Sequence, residues 1–178
     1  MRRLILVLAI LLAAYIGYPY LTLYWLDQAL LTDDDQALSR LVDFPQVRET
    51  LKAEVKLAVL DRAQEAVEKR PILGTFGAAL ASLLAPALVD SAVDTMVTPE
   101  AILNSETVVK HRREGKSFFD FVTYAFFAGP TEFTVDLKDP QKPDSPTLTA
   151  VMELTGLRWR IVALKLPPVE NWYAKPAD

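Results

Sequence analysis

The chain has 178 residues, half of them apolar and about a quarter charged, with a formal net charge of −4. Its 19 Lys and Arg residues against 23 Asp and Glu residues argue against nucleic acid as a partner, because phosphate binding needs a surplus of positive charge. The absence of cysteine excludes disulfides, cysteine zinc sites and thiol nucleophiles. With its N-terminal apolar segment set aside, the chain has the length of one ordinary domain.

The N-terminal segment is long and apolar enough to cross a membrane. Arg2 and Arg3 precede an uncharged run over residues 4–26, which as a helix would measure about 35 Å against a hydrocarbon core of about 30 Å. Basic residues on one flank and an aromatic belt on the other place the N-terminus in the cytoplasm. The belt consists of Tyr15, Tyr18, Tyr20, Tyr24 and Trp25. Pro19 predicts that the span ends near residue 18 and that a second helix begins there, because proline removes a backbone hydrogen bond.

Two other interpretations of this segment stay open. Residues 4–14 have the length of a signal-peptide apolar region, although no pair of small residues suits the cleavage positions. The segment would also suit a buried core helix. The favoured prediction is an uncleaved anchor at residues 1–19, a domain at residues 20–168 on the periplasmic side of a bacterial inner membrane, and a tail at residues 169–178.

Helices are predicted between the anchor and residue 110. The acids at residues 33–35 favour a helix cap over a cation site, because they lack the spacing of a calcium loop. An amphipathic helix begins near Pro45 and ends near Pro71, with apolar residues at helical spacing. Thr98-Pro99-Glu100 has the cap, proline and acid of a helix start, and predicts a helix over residues 99–109.

Residues 71–89 contain no charge, and their length alone would permit a second membrane span. Gly74, Gly77 and Pro86 lower the hydrophobicity of the segment. Three interpretations remain: a helix that is buried or faces a partner protein of the envelope, a helix in the membrane surface, and a true span. A true span would return the C-terminal half of the chain to the cytoplasm.

The chain has one basic cluster, and its single histidine lies within it. The cluster consists of Lys110, His111, Arg112, Arg113 and Lys116. A histidine flanked by cations tends to stay neutral and makes a poor general base without a carboxylate nearby. The cluster therefore indicates a solvated loop, or a candidate contact with anionic lipid headgroups or another polyanion, before it indicates catalysis.

From residue 118 the apolar pattern changes from helical to alternating, and Phe, Tyr, Val and Thr become common. Four strands are predicted, over residues 118–128, 131–138, 147–155 and 157–166. The first is apolar on both faces and is expected in the centre of the sheet, whereas the second alternates and has one wet face. Short connections predict an antiparallel meander covered by the helices. The expected fold is α+β, with an N-terminal transmembrane helix and a helical half packed on a four-stranded antiparallel sheet.

The sequence contains no nucleophile and base pair, so it predicts no catalytic, cofactor-binding or metal-binding residue. The leading hypothesis is a membrane-tethered module that binds a ligand or partner without catalysis. One alternative is a small hydrolase or isomerase with a pocket between sheet and helices, and another is a structural subunit of an envelope complex. The carboxylates available to an enzyme are Asp120, Glu132, Asp136 and Glu153. They alternate with apolar residues on the predicted strands, which favours a solvated face.

The sequence resembles a bacterial family of membrane-anchored proteins that is defined only as a domain of unknown function. The resemblance rests on Tyr18-Pro19-Tyr20, Leu41-Val42-Asp43-Phe44-Pro45, Ala85-Pro86-Ala87-Leu88-Val89-Asp90, Val97-Thr98-Pro99-Glu100, Tyr124-Ala125-Phe126-Phe127 and Leu157-Arg158-Trp159-Arg160. The family carries no catalytic residues across to this chain. More distantly, a helical half followed by a sheet with a Trp-containing last strand is similar to the cone-shaped nuclear-transport-factor-like and cystatin-like α+β folds. That similarity implies a pocket between sheet and helices, used for binding or catalysis.

Overall fold

The computed structural model describes residues 1–69, 86–141 and 146–167. The helices are α1 (Arg2–Thr32), α2 (Asp35–Leu41), α3 (Phe44–Lys69), α4 (described over 86–96), α5 (Pro99–Leu103) and α6 (Glu106–Glu114). A 3-10 turn at Phe118–Phe121 leads into strands β1 (Val122–Gly129), β2 (Glu132–Leu137), β3 (Leu148–Thr155) and β4 (Arg158–Lys165). The prediction of a mixed α+β fold with a four-stranded antiparallel sheet is confirmed.

The sheet is a meander in which each strand pairs antiparallel with the next, in the order β1-β2-β3-β4. Strand β2 alternates as its sequence predicts, because Phe133 and Val135 are fully buried while Glu132 and Thr134 are only half-buried. The β3–β4 turn needs Gly156, whose φ of 65° lies in the left-handed region that side chains disfavour. One face of the sheet thus carries the core, and that face needs a cover.

The first strand differs from its prediction in both length and place. Residues 118–121 form the 3-10 turn, because the side chains of Ser117 and Asp120 each accept the other's backbone N–H in a capping box. Strand β1 lies at the edge of the sheet and not at its centre. The run is apolar on both faces, yet Tyr124 and Phe126 stay about half exposed on the outer face. An apolar run alone therefore did not predict whether the strand is central or at the edge of the sheet.

Helix α1 continues through Pro19 as one element, so the prediction of two helices that meet there is wrong. Proline lacks the N–H that would bond four residues back, and one hydrogen bond of the ladder is lost. The ring of Pro19 is fully buried against the domain, as are Leu23 and Leu26 further along the helix. Packing of this face offsets the missing bond, and the helix continues through Pro19.

The environment of α1 changes at Tyr15. Residues 2–14 are exposed on every face, whereas from Tyr15 onward one face packs on the sheet. The Tyr15 ring stacks on Phe127 at a centroid distance of 5.7 Å. The Tyr18 hydroxyl donates to the Leu157 carbonyl at 2.9 Å, and the Tyr20 hydroxyl donates to the Ala125 carbonyl at 3.0 Å. Three of the tyrosines predicted as an interfacial belt are therefore contacts between α1 and the sheet.

Strand β4 is joined to the start of α3. Val42 forms an isolated parallel bridge with Ile161, and the Asp43 N–H donates to the Ile161 carbonyl at 2.8 Å. The Asp43 carboxylate also accepts a bond from Arg160 Nη1 at 2.9 Å. Further along, Glu54 of α3 accepts the backbone N–H of Leu166 at 2.6 Å. These bonds cover the β4 edge, which would otherwise present unpaired backbone groups.

The single helix predicted over residues 99–109 is two helices. Helix α5 ends at Leu103, and the Ser105 hydroxyl accepts the Val108 N–H as the cap of α6. Helix α6 ends at Gly115, whose φ is 62°. The basic cluster predicted as a solvated loop therefore lies mostly on a helix. Its cations occupy the last turn, where they complement the helix dipole.

The acids at residues 33–35 act as predicted, because Asp34 caps α2 by accepting the Ala37 N–H at 2.8 Å. No group of three His, Asp or Glu side chains within the described ranges is placed to hold a metal ion. Most of the 71–89 segment lies outside the described residues, and its described part, 86–89, is helical. The predicted contact of this segment with an envelope protein stays a prediction. The tail predicted at residues 169–178 also lies outside the described residues.

Candidate functional site

An apolar cavity of about 570 Å³ lies between the helices and the inner face of the sheet. The apolar residues that line it include Leu26, Leu30, Leu38, Val47, Leu137, Leu148, Ala150, Ile161 and Leu164. Its volume falls within the range of about 300–1,000 Å³ that is typical of small-molecule sites. The cavity thus forms where α1, α2 and α3 cover the sheet without filling the space beneath them.

The polar lining of the cavity is concentrated near α6 and the segments that adjoin it. It consists of Asp27, Thr107, His111, Arg112, Lys116, Lys138 and Asp139. All except Asp27 belong to α6, to the residues just after it, or to the end of β2. A few polar groups beside a large apolar wall are the usual arrangement of a site that orients an apolar ligand.

Asp27 of α1 is the buried carboxylate of the cavity, with 5% of its surface exposed. Its Oδ1 accepts a bond from the Ser117 hydroxyl at 2.9 Å and another from the Phe118 N–H at 2.6 Å. Bonds to an ionised acceptor are about twice as strong as neutral ones. Asp27 therefore fastens the start of the 3-10 turn to α1, and so fixes the position of the chain as it enters the sheet.

Arg112 fastens α6 to the C-terminal end of α1. Its Nε donates to the Leu30 carbonyl at 3.0 Å, and its Nη2 pairs with Asp33 at 2.8 Å. Nη2 also reaches the Leu103 carbonyl at 3.3 Å. The last carbonyls of a helix have no partner within the helix, so an arginine at this end satisfies them. Most of the donor capacity of Arg112 is used in holding the fold.

His111 lines the cavity and uses one ring nitrogen within its own helix. Its Nδ1 lies 2.7 Å from the Thr107 carbonyl. Because a carbonyl only accepts, Nδ1 carries the proton, and Nε2 has no hydrogen-bond partner in the part of the chain that the structure describes. The ring packs on Phe121 at a centroid distance of 4.4 Å. Nε2 is thus available to a ligand.

Lys116 and Lys138 differ in their pairing. Lys116 Nζ bonds Glu114 at 2.6 Å. This bond, together with the positive charges of Lys116 and Lys110, holds the pKa of the exposed Glu114 below its usual 4.5. The half-buried Lys138 donates its backbone N–H to the Phe121 carbonyl at 2.8 Å. Across the described ranges its Nζ has no partner.

The structure brings only part of the predicted cluster to the cavity. His111, Arg112 and Lys116 line it, whereas Lys110 bonds Gln141 at 3.4 Å and Arg113 is exposed. The cluster lies near Leu30, which is about 24 Å along α1 from Ala14, the last residue before the domain contacts begin. The cluster is thus distant from the exposed half of α1. Its predicted contact with lipid headgroups or another polyanion stays a prediction.

The carboxylates considered for an enzyme do not line the cavity. Asp120 accepts the Ser117 N–H at 3.2 Å, and Asp136 accepts the Thr149 hydroxyl at 2.6 Å. Glu132 and Glu153 lie opposite each other on β2 and β3. These positions agree with the prediction that the four acids serve the surface and the turns.

The sequence did not identify Asp27, Lys138 or Asp139 as site residues. A signal for Asp27 was present, because it is the first charge after the uncharged run of residues 4–26 and continues a helix. Lys138 and Asp139 follow the last alternating residue of β2. No pattern in the neighbouring sequence indicates that they line a cavity.

Comparison with protein families matches residues 8–104, more than half of the chain, to the family described as a protein of unknown function, DUF2939. The chain belongs to the DUF2939 family. The match covers α1 to α5 and ends before the sheet, so the motifs at residues 124–127 and 157–160 lie beyond the matched region. The resemblance to a domain of unknown function is thereby confirmed. No curated protein and no solved structure matches the chain, and the distant similarity to cone-shaped folds stays a prediction.

Replacing Asp27 with Ala should lower the free energy of unfolding by about 1–3 kcal/mol, because Ser117 and Phe118 would keep buried donors without an acceptor. Asp27→Asn keeps an acceptor oxygen and should cost less. The matched control is Glu49→Ala, which removes an exposed carboxylate and should change stability by no more than about 0.5 kcal/mol. Urea unfolding of the full chain in detergent, followed by circular dichroism, measures the difference. Equal values for Asp27→Ala and Glu49→Ala would contradict this role.

Proposed function

We propose that this DUF2939 protein is a membrane-tethered module that binds an apolar small molecule in the cavity between its helices and its sheet, without catalysis. The observation that carries the proposal is the cavity itself, about 570 Å³ and lined mainly by apolar side chains. Apolar surface that stays in contact with water costs free energy, and a ligand that covers it removes that cost. A cavity of this size is better explained by a ligand than by imperfect packing.

The tether is α1. The helix is long and apolar enough to cross a membrane, and a signal sequence would pass the same test. Its N-terminal half is almost entirely exposed, unlike a core helix, and so needs an apolar environment of its own. The helix runs unbroken through the candidate cleavage positions, and Tyr15 packs on Phe127. These observations support an uncleaved signal anchor over a cleaved signal.

We infer the orientation from the flanking charges. Arg2 and Arg3 precede the apolar run and favour a cytoplasmic N-terminus, which places the domain on the periplasmic side of a bacterial inner membrane. The cavity is lined by the last turns of α1, from Leu26 to Leu31, so it lies about 18–25 Å along the helix from Ala14. The cavity therefore lies beyond the fully exposed part of α1, on the side of the domain.

The second candidate is a small pocket enzyme, and one observation favours it. His111 and the carboxylates Asp27 and Asp139 line the same cavity. Against catalysis, His111 donates Nδ1 to its own helix and not to a carboxylate that would orient it, and Asp27 is bonded to two donors. The histidine is therefore oriented by a backbone carbonyl, without the carboxylate that would stabilise its protonated form during proton transfer.

Photolabelling tests the binding proposal. Full chain in lipid nanodiscs would be irradiated with hexadecanol carrying a diazirine at mid-chain, and the labelled peptides would be identified by mass spectrometry. We expect labels on α6 and β3 beside the cavity, in addition to labels on residues 4–14. Ala150→Phe, which places a ring in the cavity from β3, should remove most of the cavity labels. Ala128→Phe adds the same ring at an exposed position and should leave them.

Labels confined to residues 4–14 would overturn the binding proposal. Full chain in the same nanodiscs, incubated with hexadecanol and with acyl esters of hexadecanol and extracted without irradiation, distinguishes binding from catalysis. Binding predicts that hexadecanol and its acyl esters are recovered chemically unchanged. Conversion of an ester that depends on His111 would instead favour the enzyme.

The orientation is tested by reporters fused after Asp178. Alkaline phosphatase folds into its active form in the periplasm, whereas green fluorescent protein exported by this route stays dark. With Arg2 and Arg3 on the cytoplasmic flank, we expect an active phosphatase fusion and a dark fluorescent fusion. The opposite pair of results in well-expressed proteins would show that the C-terminal half lies in the cytoplasm, as a second span within residues 71–89 would require.

A further inference from the structure

We propose that the ligand of the cavity is a single-chain amphiphile with an anionic head, whose chain lies along the apolar wall and whose head is bound by Lys138. This inference rests on the proposed binding function and adds the class of ligand. A free long-chain carboxylic acid and an anionic lysophospholipid share this chemistry.

The charges that line the cavity are largely paired. Among the described residues, three cations, Arg112, Lys116 and Lys138, and two carboxylates, Asp27 and Asp139, line it. Arg112 and Lys116 are paired with acids outside the lining. Asp27 is already bonded to two donors, and Asp139 accepts the Gln141 N–H at 2.9 Å. Lys138 is therefore the cation that is left to attract an anion.

Lys138 is the lining cation that has no counter-charge. Arg112 pairs with Asp33 and Lys116 pairs with Glu114, whereas Lys138 Nζ has no bond within the described residues. The side chain is half-buried, so it is partly removed from water without the compensation of a partner. An anionic head at this position would supply the missing charge.

Phe121 contacts both Lys138 and His111. The Phe121 carbonyl accepts the Lys138 backbone N–H at 2.8 Å, and its ring packs on His111 at 4.4 Å. The nearby contact of Lys110 with Gln141 also joins α6 to the segment after β2. Lys138, Phe121 and His111 thus belong to one part of the cavity lining.

For a ligand that comes from the membrane, the head group determines the preference for the cavity over the bilayer. An acyl chain that moves from the bilayer into an apolar cavity exchanges one hydrocarbon environment for another and gains little, because lipid tails are as apolar as leucine. The preference for the cavity must then come from polar contacts. A charge-assisted bond to Lys138, away from bulk water, provides such a preference.

The test compares probes that differ only in their heads. Full chain in nanodiscs of zwitterionic lipid would be photolabelled with mid-chain diazirine derivatives of hexadecanoic acid, hexadecanol and hexadecanoyl lysophosphatidic acid. We expect the acidic probes to label the cavity more than the alcohol does. Lys138→Gln should lower acid labelling roughly tenfold and leave alcohol labelling unchanged. Lys138→Arg should retain acid labelling. Lys110→Gln is the matched control, because it removes a neighbouring cation that does not line the cavity.

The outcomes separate the two proposals. Equal labelling by acid and alcohol, unaffected by Lys138→Gln, would overturn the anionic ligand and leave the binding function standing. Cavity labelling by none of the probes would overturn the binding function itself. Cavity labelling that falls equally for all probes in Lys138→Gln, and that is equally low in Lys138→Arg, would also overturn the role of the charge. Stronger capture of hexadecanoic acid identifies a free acid as the source, and stronger capture of the phosphate probe identifies a lysophospholipid.

Discussion

The packing of one helix on the sheet determines the rest of this structure. The inner face of an antiparallel sheet cannot remain in water, and α1 supplies part of the cover, together with α3, which packs on β4. Tyr15, Phe127, Phe133 and Trp159 form an aromatic cluster in which ring centroids lie 5.2–6.4 Å apart. Aromatic pairs at these distances add to the free energy of apolar burial. The helix is therefore part of the core, and its exposed half is fixed to the domain.

The shared helix also sets the geometry of the cavity. At its far end α1 is fastened to the chain by Asp27, which receives bonds from Ser117 and Phe118, and to α6 by Arg112. These bonds hold the 3-10 turn and α6 beside the sheet, and the space between them stays open. The same few residues that complete the fold thus build the polar end of the site.

Much of the fold could be predicted from the sequence, because it depends on local periodicity. The strict alternation of β2, the caps at Asp34 and Thr98, and the change of period after residue 117 each have a physical cause that acts within a few residues. What failed depends on distant contacts. Pro19 was expected to end a helix, and only its burial against the domain shows why it does not. Strand β1 was expected in the centre, and only the pairing order places it at the edge.

The site was harder to predict than the fold. The basic cluster identified the region of His111, Arg112 and Lys116, but the sequence could not show which cations are used in the fold and which face the cavity. Asp27 and Lys138 lie 111 residues apart in the chain. They line the same cavity because α1 packs over the sheet. Their roles follow from tertiary packing, which no local pattern contains.

The most direct test of the shared helix is one distance. The chain has no cysteine, so spin labels can be attached at Leu8→Cys and Thr32→Cys without other changes. Both positions are exposed. In nanodiscs, double electron–electron resonance should give a single narrow distribution near 36 Å, because 24 residues of one helix rise about 1.5 Å each. A broad distribution at clearly shorter distances would show that the chain breaks at Pro19 and that the anchor and the domain are separate elements.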